Sequence, residues 1–179
     1  MAGVLEIVRL DGTQAAALAP QLGEVLADCV AGGASVSFMS PFTAADAQAY
    51  FAGVADEVAL DRAAILVARQ DGRIVGAVQL GLHTPPNQPH RADVRKMLVH
   101  RSARRQGVGA ALMRAVEELA GNLGRTLLVL DTVTGDAGER LYSSLGWTRV
   151  GVIPDYALLP EGGLVSTTVF WKRVSPPRR

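Results

Sequence analysis

The sequence predicts a single α+β domain in which one mixed sheet of about seven strands is covered by helices. Three observations carry this. The apolar pattern gives one strand, then two helices, then strands that alternate with helices. Asp71-Gly72 parts two apolar runs and supplies the positive φ angles of a tight hairpin turn. Leu127-Leu128-Val129-Leu130 is a continuous apolar run, the pattern of a strand covered on both faces. At 179 residues the chain fits one domain, large enough to bury roughly 70% of its unfolded surface. Residues 1–174 are assigned to that domain and 175–179 to a flexible tail.

Each element has its own justification. Leu5 to Arg9 alternates apolar and charged residues, a short strand ended by Asp11-Gly12. Thr13 to Val30 is rich in Ala and Leu and reads as a helix, with Thr13 as N-cap and Gly32-Gly33 as the stop. Ala31 to Phe42 is a loop that presents Phe38 and Met39. After Ser40-Pro41 a second helix spans Thr43 to Leu60. The hairpin strands are Ala64 to Gln70 and Arg73 to Leu82. His83 to Arg91 holds three prolines and is irregular; Ala92 to Val99 is the next strand. Val108, Leu112, Ala115, Val116 and Leu119 recur at helical spacing, opposite Arg114, Glu117 and Glu118, and Gly121 and Gly124 end that helix. Arg125 to Asp131 is the buried strand. Gly135 to Leu145 is a short helix closed by Gly146, and Trp147 to Ile153 and Leu164 to Arg173 are the last strands.

Composition narrows the function classes. Hydrophobic residues are 49% and charged residues 20% of the chain, a soluble globular profile. No apolar run reaches the roughly 18 residues a membrane span needs, and Met1 to Leu10 lacks the pattern of a secretory signal. Cys29 is the single cysteine, so no internal disulfide forms, in agreement with a reducing cytoplasm. Three histidines and that one cysteine, without close ligand spacing, argue against a metal site. The net charge of +1 hides an asymmetry. Between Arg91 and Arg105 six Lys or Arg stand against Asp93 alone, a local +5 that leaves −4 for the rest. A basic stretch on a near-neutral chain points to a specific anion. A nucleic-acid module would raise the total charge and use more than 5% aromatics.

The basic stretch ends in Arg104-Arg105-Gln106-Gly107-Val108-Gly109, between a strand and an amphipathic helix. The first amides of a helix have no internal partner, and the helix dipole puts partial positive charge there. Gly107 and Gly109 let backbone approach an oxyanion closely, and the arginines add charge and bidentate geometry for phosphate. A P-loop would need four residues between its glycines and then Lys-Ser/Thr. A dinucleotide fingerprint would follow the first strand. Neither description fits.

The stretch from Arg95 to Gly109 resembles the signature of the GNAT superfamily of acetyl-CoA-dependent N-acetyltransferases, a strand followed by Arg/Gln-x-x-Gly-x-Gly/Ala. Leu141-Tyr142-Ser143-Ser144-Leu145-Gly146-Trp147 is similar to the family's Tyr-x-x-x-Gly-Phe. The runs Gly32 to Met39 and Tyr142 to Gly151 resemble the tabtoxin resistance subgroup. The resemblance implies a mostly antiparallel, twisted sheet, splayed at the acetyl-CoA site. It implies pantetheine contacts from main-chain groups of Met97, Leu98 and Val99. The pyrophosphate would lie on the amides of Arg104, Arg105, Gln106, Gly107, Val108, Gly109 and Ala110.

Transfer needs a neutral amine, because a protonated one has no lone pair. Asp131 is the candidate base, directly or through water. Tyr142 matches the family tyrosine near the cofactor sulfur and is the candidate general acid. Many members carry Asn about seven residues before that tyrosine; Gly135 and Asp136 stand there in this chain. Glu57, His83 and His100 are further candidate bases, with Glu57 read as a solvated helix charge. The acceptor pocket is expected from Phe38, Met39, His83, Asp155 and Tyr156, with Asp155 suited to attract a cationic amine. The expected acceptor is a small-molecule amine or amino acid, including a toxin or antibiotic, transferred directly in a ternary complex. A protein N-terminus or lysine is the alternative, and a non-catalytic acyl-CoA sensor a rival of another class. The sequence leaves a homodimer open.

Overall fold

The computed structural model describes residues 4–175, so most of the expected tail, Pro176 to Arg179, lies outside the described residues. Strand β1 (Leu5–Leu10) is followed by helices α1 (Gly12–Ala17), α2 (Ala19–Ala31) and α3 (Ala44–Ala59), then strands β2 (Ala63–Gln70), β3 (Arg73–Gly81) and β4 (Arg91–Val99). A short 3-10 turn, Arg101–Ala103, leads to α4 (Val108–Asn122), β5 (Leu127–Val133), α5 (Ala137–Ser144), β6 (Thr148–Leu158) and β7 (Leu164–Arg173).

The seven strands form one sheet in the order β1-β2-β3-β4-β5-β7-β6, antiparallel except where β4 meets β5. Helices cover both faces. One face packs α4 and α5 on Leu66, Val78, Leu80, Ala92, Val94 and Leu128. The other packs α1 to α3 on Leu10, Ile65, Val67, Ala77 and Leu98. Along β4, Ala92 and Val94 are buried in the first of these cores and Leu98 in the second.

Four expectations are corrected. The helix expected over Thr13 to Val30 is two helices meeting at Leu18, because Pro20 lacks an N–H and opens the first turn of α2. Its N-cap is Asp11, not Thr13: Asp11 accepts from the Gln14 N–H at 2.8 Å, while the Gln14 side chain accepts from the Asp11 N–H at 3.0 Å. Helix α4 runs through Gly121, which is buried against the sheet, and ends at Asn122. Strand β6 does not stop at Ile153. Pro154 cannot donate to the ladder, so pairing skips from Ile153↔Thr167 to Ala157↔Val165, with Asp155 at φ +51°, and resumes to Leu158.

Two irregularities position the site. The β4–β5 ladder holds only three pairs, Arg91↔Leu127, Ala92↔Leu128 and Asp93↔Val129. Beyond them the strands part, and β5 pairs with β7 alone through Val133. The second is a bulge in β4. The register passes from Gln79↔Arg95 to Ala77↔Leu98, so Lys96 and Met97 face the single residue Val78, and Lys96 takes φ +50°.

Candidate active site

The turn after β4 is built to leave amides free. Arg105 (φ +60°) and Gly107 (φ +81°) both take left-handed backbone, curling the chain into α4. The first intrahelical bond is Ala111 N–H to Gly107 C=O at 3.0 Å, so the amides of Val108, Gly109 and Ala110 have no helical partner. No side chain caps this end. The turn is braced from beneath: Arg104 Nε donates to the Val99 carbonyl at 3.3 Å and Gln106 Nε2 to the Ser102 carbonyl at 2.9 Å. Arg104 and Arg105 are exposed and make no ion pair among the described residues. The 3-10 turn is held to α2 by Arg101, whose Nε and backbone N–H each donate to Asp28 at 2.8 Å. Burial would raise the Asp28 pKa, but the Arg101 hydrogen bonds and the charges of His100 and Arg101 outweigh it and hold the carboxyl below its ordinary value.

The open edge of β4 faces the gap. The Leu98 carbonyl lies against Gly76 of β3, and the His100 N–H donates to the Val75 carbonyl. Val99, and Met97 two residues earlier, therefore turn away from β3, and the Val99 carbonyl accepts from Arg104 Nε and from Cys29 Sγ at 3.5 Å. The Leu98 groups turn toward β3. A Cβ on Gly109 would sit 3.1 Å from Leu141 and 3.7 Å from Met97, so the first turn of α4 lies between β4 and α5.

Across the gap stands Asp131. It lies inside β5 rather than at the strand end, two residues before Val133, because Asp131↔Val169 pairing continues to Val133↔Thr167. It is exposed, and the Thr167 hydroxyl donates to its Oδ2 at 2.7 Å. Tyr142 of α5 is buried, with its ring 6.1 Å from those of Trp147 and Phe170. Burial pushes its hydroxyl pKa far above the ordinary tyrosine value, and the charges of Asp131 and Asp136 push the same way. Asp136 also caps α5 by accepting from the Ala137 N–H at 2.6 Å.

The acceptor-side candidates do not all gather. Phe38 stacks on Phe42 (4.5 Å) and meets Tyr50 edge-on (5.2 Å). Its loop is tied over the gap to the β6–β7 turn: Ser35 Oγ donates to the Leu158 carbonyl at 3.0 Å and the Ser40 N–H to the Pro160 carbonyl at 2.9 Å. Met39 on that loop is 45% exposed, and Tyr156 on β6 is 54% exposed. Asp155 is exposed at the β6 irregularity. His83 lies elsewhere, lining a hollow of about 230 Å³ with Glu57, Arg62, Asp93 and Arg95. A neighbouring hollow of about 370 Å³, lined by Tyr50, Gly53, Glu57 and Arg95, shares Glu57 and Arg95 with it. Glu57 is a half-exposed charge of α3 that also pairs with Arg95 of β4.

One residue of this site escaped the sequence reading. Lys96 Nζ donates to Ser37 Oγ at 2.9 Å and lies 5.6 Å and 5.9 Å from the ring centroids of Phe38 and Tyr50. The sequence did hold a clue. Arg95-Lys96 places two charges side by side in a strand, which breaks the period of two and marks a bulge.

A family model described as the acetyltransferase (GNAT) family matches residues 34–147. The chain belongs to this family. It is an N-acetyltransferase that uses acetyl-CoA. Solved structures share the fold across nearly the whole chain. The yncA protein of Salmonella typhimurium, solved with its cofactor acetyl-CoA, is similar at 18% identity and a TM-score of 0.75, over 98% of this chain and 96% of that one. A ribosomal-protein-alanine N-acetyltransferase from Brucella melitensis is similar at 20% identity and a TM-score of 0.77, over 94% and 99%. A protein assigned as a phosphinothricin N-acetyltransferase is similar at 18% identity and a TM-score of 0.76, over 96% and 99%. The residues present fit acetyl-CoA: the α4 N-terminus is uncapped, the side of Gly107 where a Cβ would project is open, and the edge of β4 that faces β5 is unpaired beyond Asp93. Among the described residues no helix is long and apolar enough to cross a membrane.

Proposed function

We propose that this enzyme acetylates the amine of a small molecule or amino acid by direct transfer, with the acceptor seated in the gap between β4 and β5. The observation that carries the reading is that gap itself. It is lined by the free edge of Val94 to Val99 and by Asp131, with the α4 amides and Tyr142 beside it. Acetyl-CoA supplies the thioester: the acceptor nitrogen forms the new C–N bond as the C–S bond breaks.

The residues of this chain manage the protons and the phosphates. Arg104 to Ala110 hold the pyrophosphate by amides and guanidinium charge. Asp131 takes the proton that the acceptor nitrogen sheds, directly or through a water, its carboxylate kept in place by Thr167. Tyr142, with its raised pKa, keeps its proton throughout the neutral range and can offer it to the departing sulfur. A phenol of raised pKa is a weak acid toward a thiolate of ordinary pKa near ~8.5. Its main contribution is therefore a hydrogen bond that strengthens as charge builds on sulfur.

An acceptor of resistance type, a toxin or antibiotic amine, belongs to the same small-molecule class. A cytoplasmic setting agrees with the buried, free Cys29. The test is calorimetric titration with acetyl-CoA, followed by thiol release over amino acids, other small amines and peptides. Turnover of small molecules with Asp131→Asn flattening the acidic limb of the pH–rate profile supports the reading. Turnover of peptides alone overturns the acceptor assignment, and an unchanged profile removes Asp131 as base.

A further inference from the structure

The β4 bulge turns two adjacent cations to one side of the sheet, Arg95 toward Glu57 of α3 and Lys96 toward Ser37, Phe38 and Tyr50. They are not equivalent. The Arg95 charge is matched by Glu57, whereas Lys96 has no carboxylate within 4.0 Å among the described residues. Lys96 is half-buried, so its charge lacks full hydration, and two aromatic faces and one hydroxyl replace only part of it.

The arrangement also costs backbone energy. Lys96 (φ +50°) and its partner Ser37 (φ +79°) both sit in the left-handed region, which non-glycine residues seldom adopt. Two strained residues joined by one hydrogen bond are a constrained device, and such strain gathers at ligand sites. Burial and the adjacent Arg95 lower the Lys96 pKa, while Asp131 acts the other way, so the two charges feel each other across the gap. The Asp131 charge also acts on Tyr142.

The geometry points to Lys96 and Ser37 as a carboxylate subsite, so that the acceptor is an α-amino acid whose carboxylate meets Lys96 while its amine faces Asp131. This rests on the acetyltransferase reading above and sharpens its acceptor class. One ammonium and one carboxylate on opposite walls match the two charges of a zwitterion. They disfavour a polyamine, which would bring a second cation to Lys96, and a protein lysine, which has no carboxylate to meet it. A protein N-terminus carries no carboxylate next to its amine and would leave Lys96 unmatched.

The test measures kcat/KM by thiol release for a panel of L-amino acids, each paired with its carboxamide. The wild-type enzyme should prefer at least one amino acid over its amide by tenfold or more. In Lys96→Met that ratio should fall to near one, and in Lys96→Arg it should be largely kept. Thermal stabilisation by acetyl-CoA certifies that each variant is folded; should Lys96→Met fail to fold, Ser37→Ala replaces it and should lower the ratio severalfold. Amides used as well as amino acids, no amino acid used at all, or a ratio unmoved in the variants overturns the subsite. In those cases turnover of other amines leaves the acetyltransferase reading standing. Absence of acetyl-CoA binding would instead remove both together.

Discussion

Gly107 offers the sharpest test of where the pyrophosphate lies. It is the N-cap residue of α4 at φ +81°, and nothing stands within 4 Å of where a Cβ would be. Gly107→Ala therefore meets no clash within the protein and bears only the left-handed backbone cost, about 1–2 kcal/mol. For a domain of this size that lowers Tm by roughly 2–8 °C. Gly107→Glu bears the same backbone cost, since its side chain also leaves into open space, but it adds a carboxylate beside the α4 amides. A negative charge ~4 Å from a phosphate charge is repelled by about 1 kcal/mol in a water-like medium and about 4 kcal/mol at an effective dielectric of 20. With ~1.4 kcal/mol per tenfold, acetyl-CoA should bind Gly107→Glu roughly 5- to 1,000-fold more weakly than Gly107→Ala. Calorimetric titration gives the affinities and thermal melts give the stabilities. Because the turn is exposed, the gap in affinity should narrow at high salt. Equal affinities in the two variants at low salt would refute the reasoning, since a diphosphate on this turn cannot be indifferent to that charge.

Three further outcomes follow from the same geometry. Tyr142→Phe should lower kcat by about 10²-fold, the low end for removing one donor to developing charge, while acetyl-CoA affinity moves little; normal turnover refutes that role. Gly76→Ala should destabilise by about 1–3 kcal/mol, because the added Cβ would sit 2.8 Å from the Leu98 carbonyl and 3.0 Å from Leu112; a wild-type melting temperature refutes it. Asp28→Asn should cost stability at neutral pH, because the lowered folded pKa of Asp28 favours folding wherever the unfolded carboxyl is ionised, above about 3.9. That advantage is lost as pH falls through the folded value, so urea melts of the two proteins should converge in acid.

Features fixed by local chemistry were legible in the chain. Asp71-Gly72 makes its turn because only a few residues tolerate positive φ, and Arg104 to Gly109 announces itself by charge and glycine beside an amphipathic helix. What escaped depends on distant partners. Pro20 could begin a helix or break one, and only the packing of α1 and α2 on α3 decides. Pro154 read as an end of β6, yet pairing with β7 resumes past it. Asp131 was found by resemblance, but its place inside β5 depends on β7, nearly forty residues later. Lys96 counted as one more basic residue because its surroundings, Ser37, Phe38 and Tyr50, come from segments about fifty residues upstream.

The three-pair seam between β4 and β5 has a mechanical consequence. It leaves a four-strand leaf and a three-strand leaf joined along a short line, with Met97 and Val99 offering amides to no strand. A pantetheine arm laid along that edge, as proposed, would stand in for the absent neighbour, so those amides should resist deuterium exchange only while the thioester is bound. The seam should then open less often, and the enzyme's lifetime against proteases would follow the supply of its own cosubstrate.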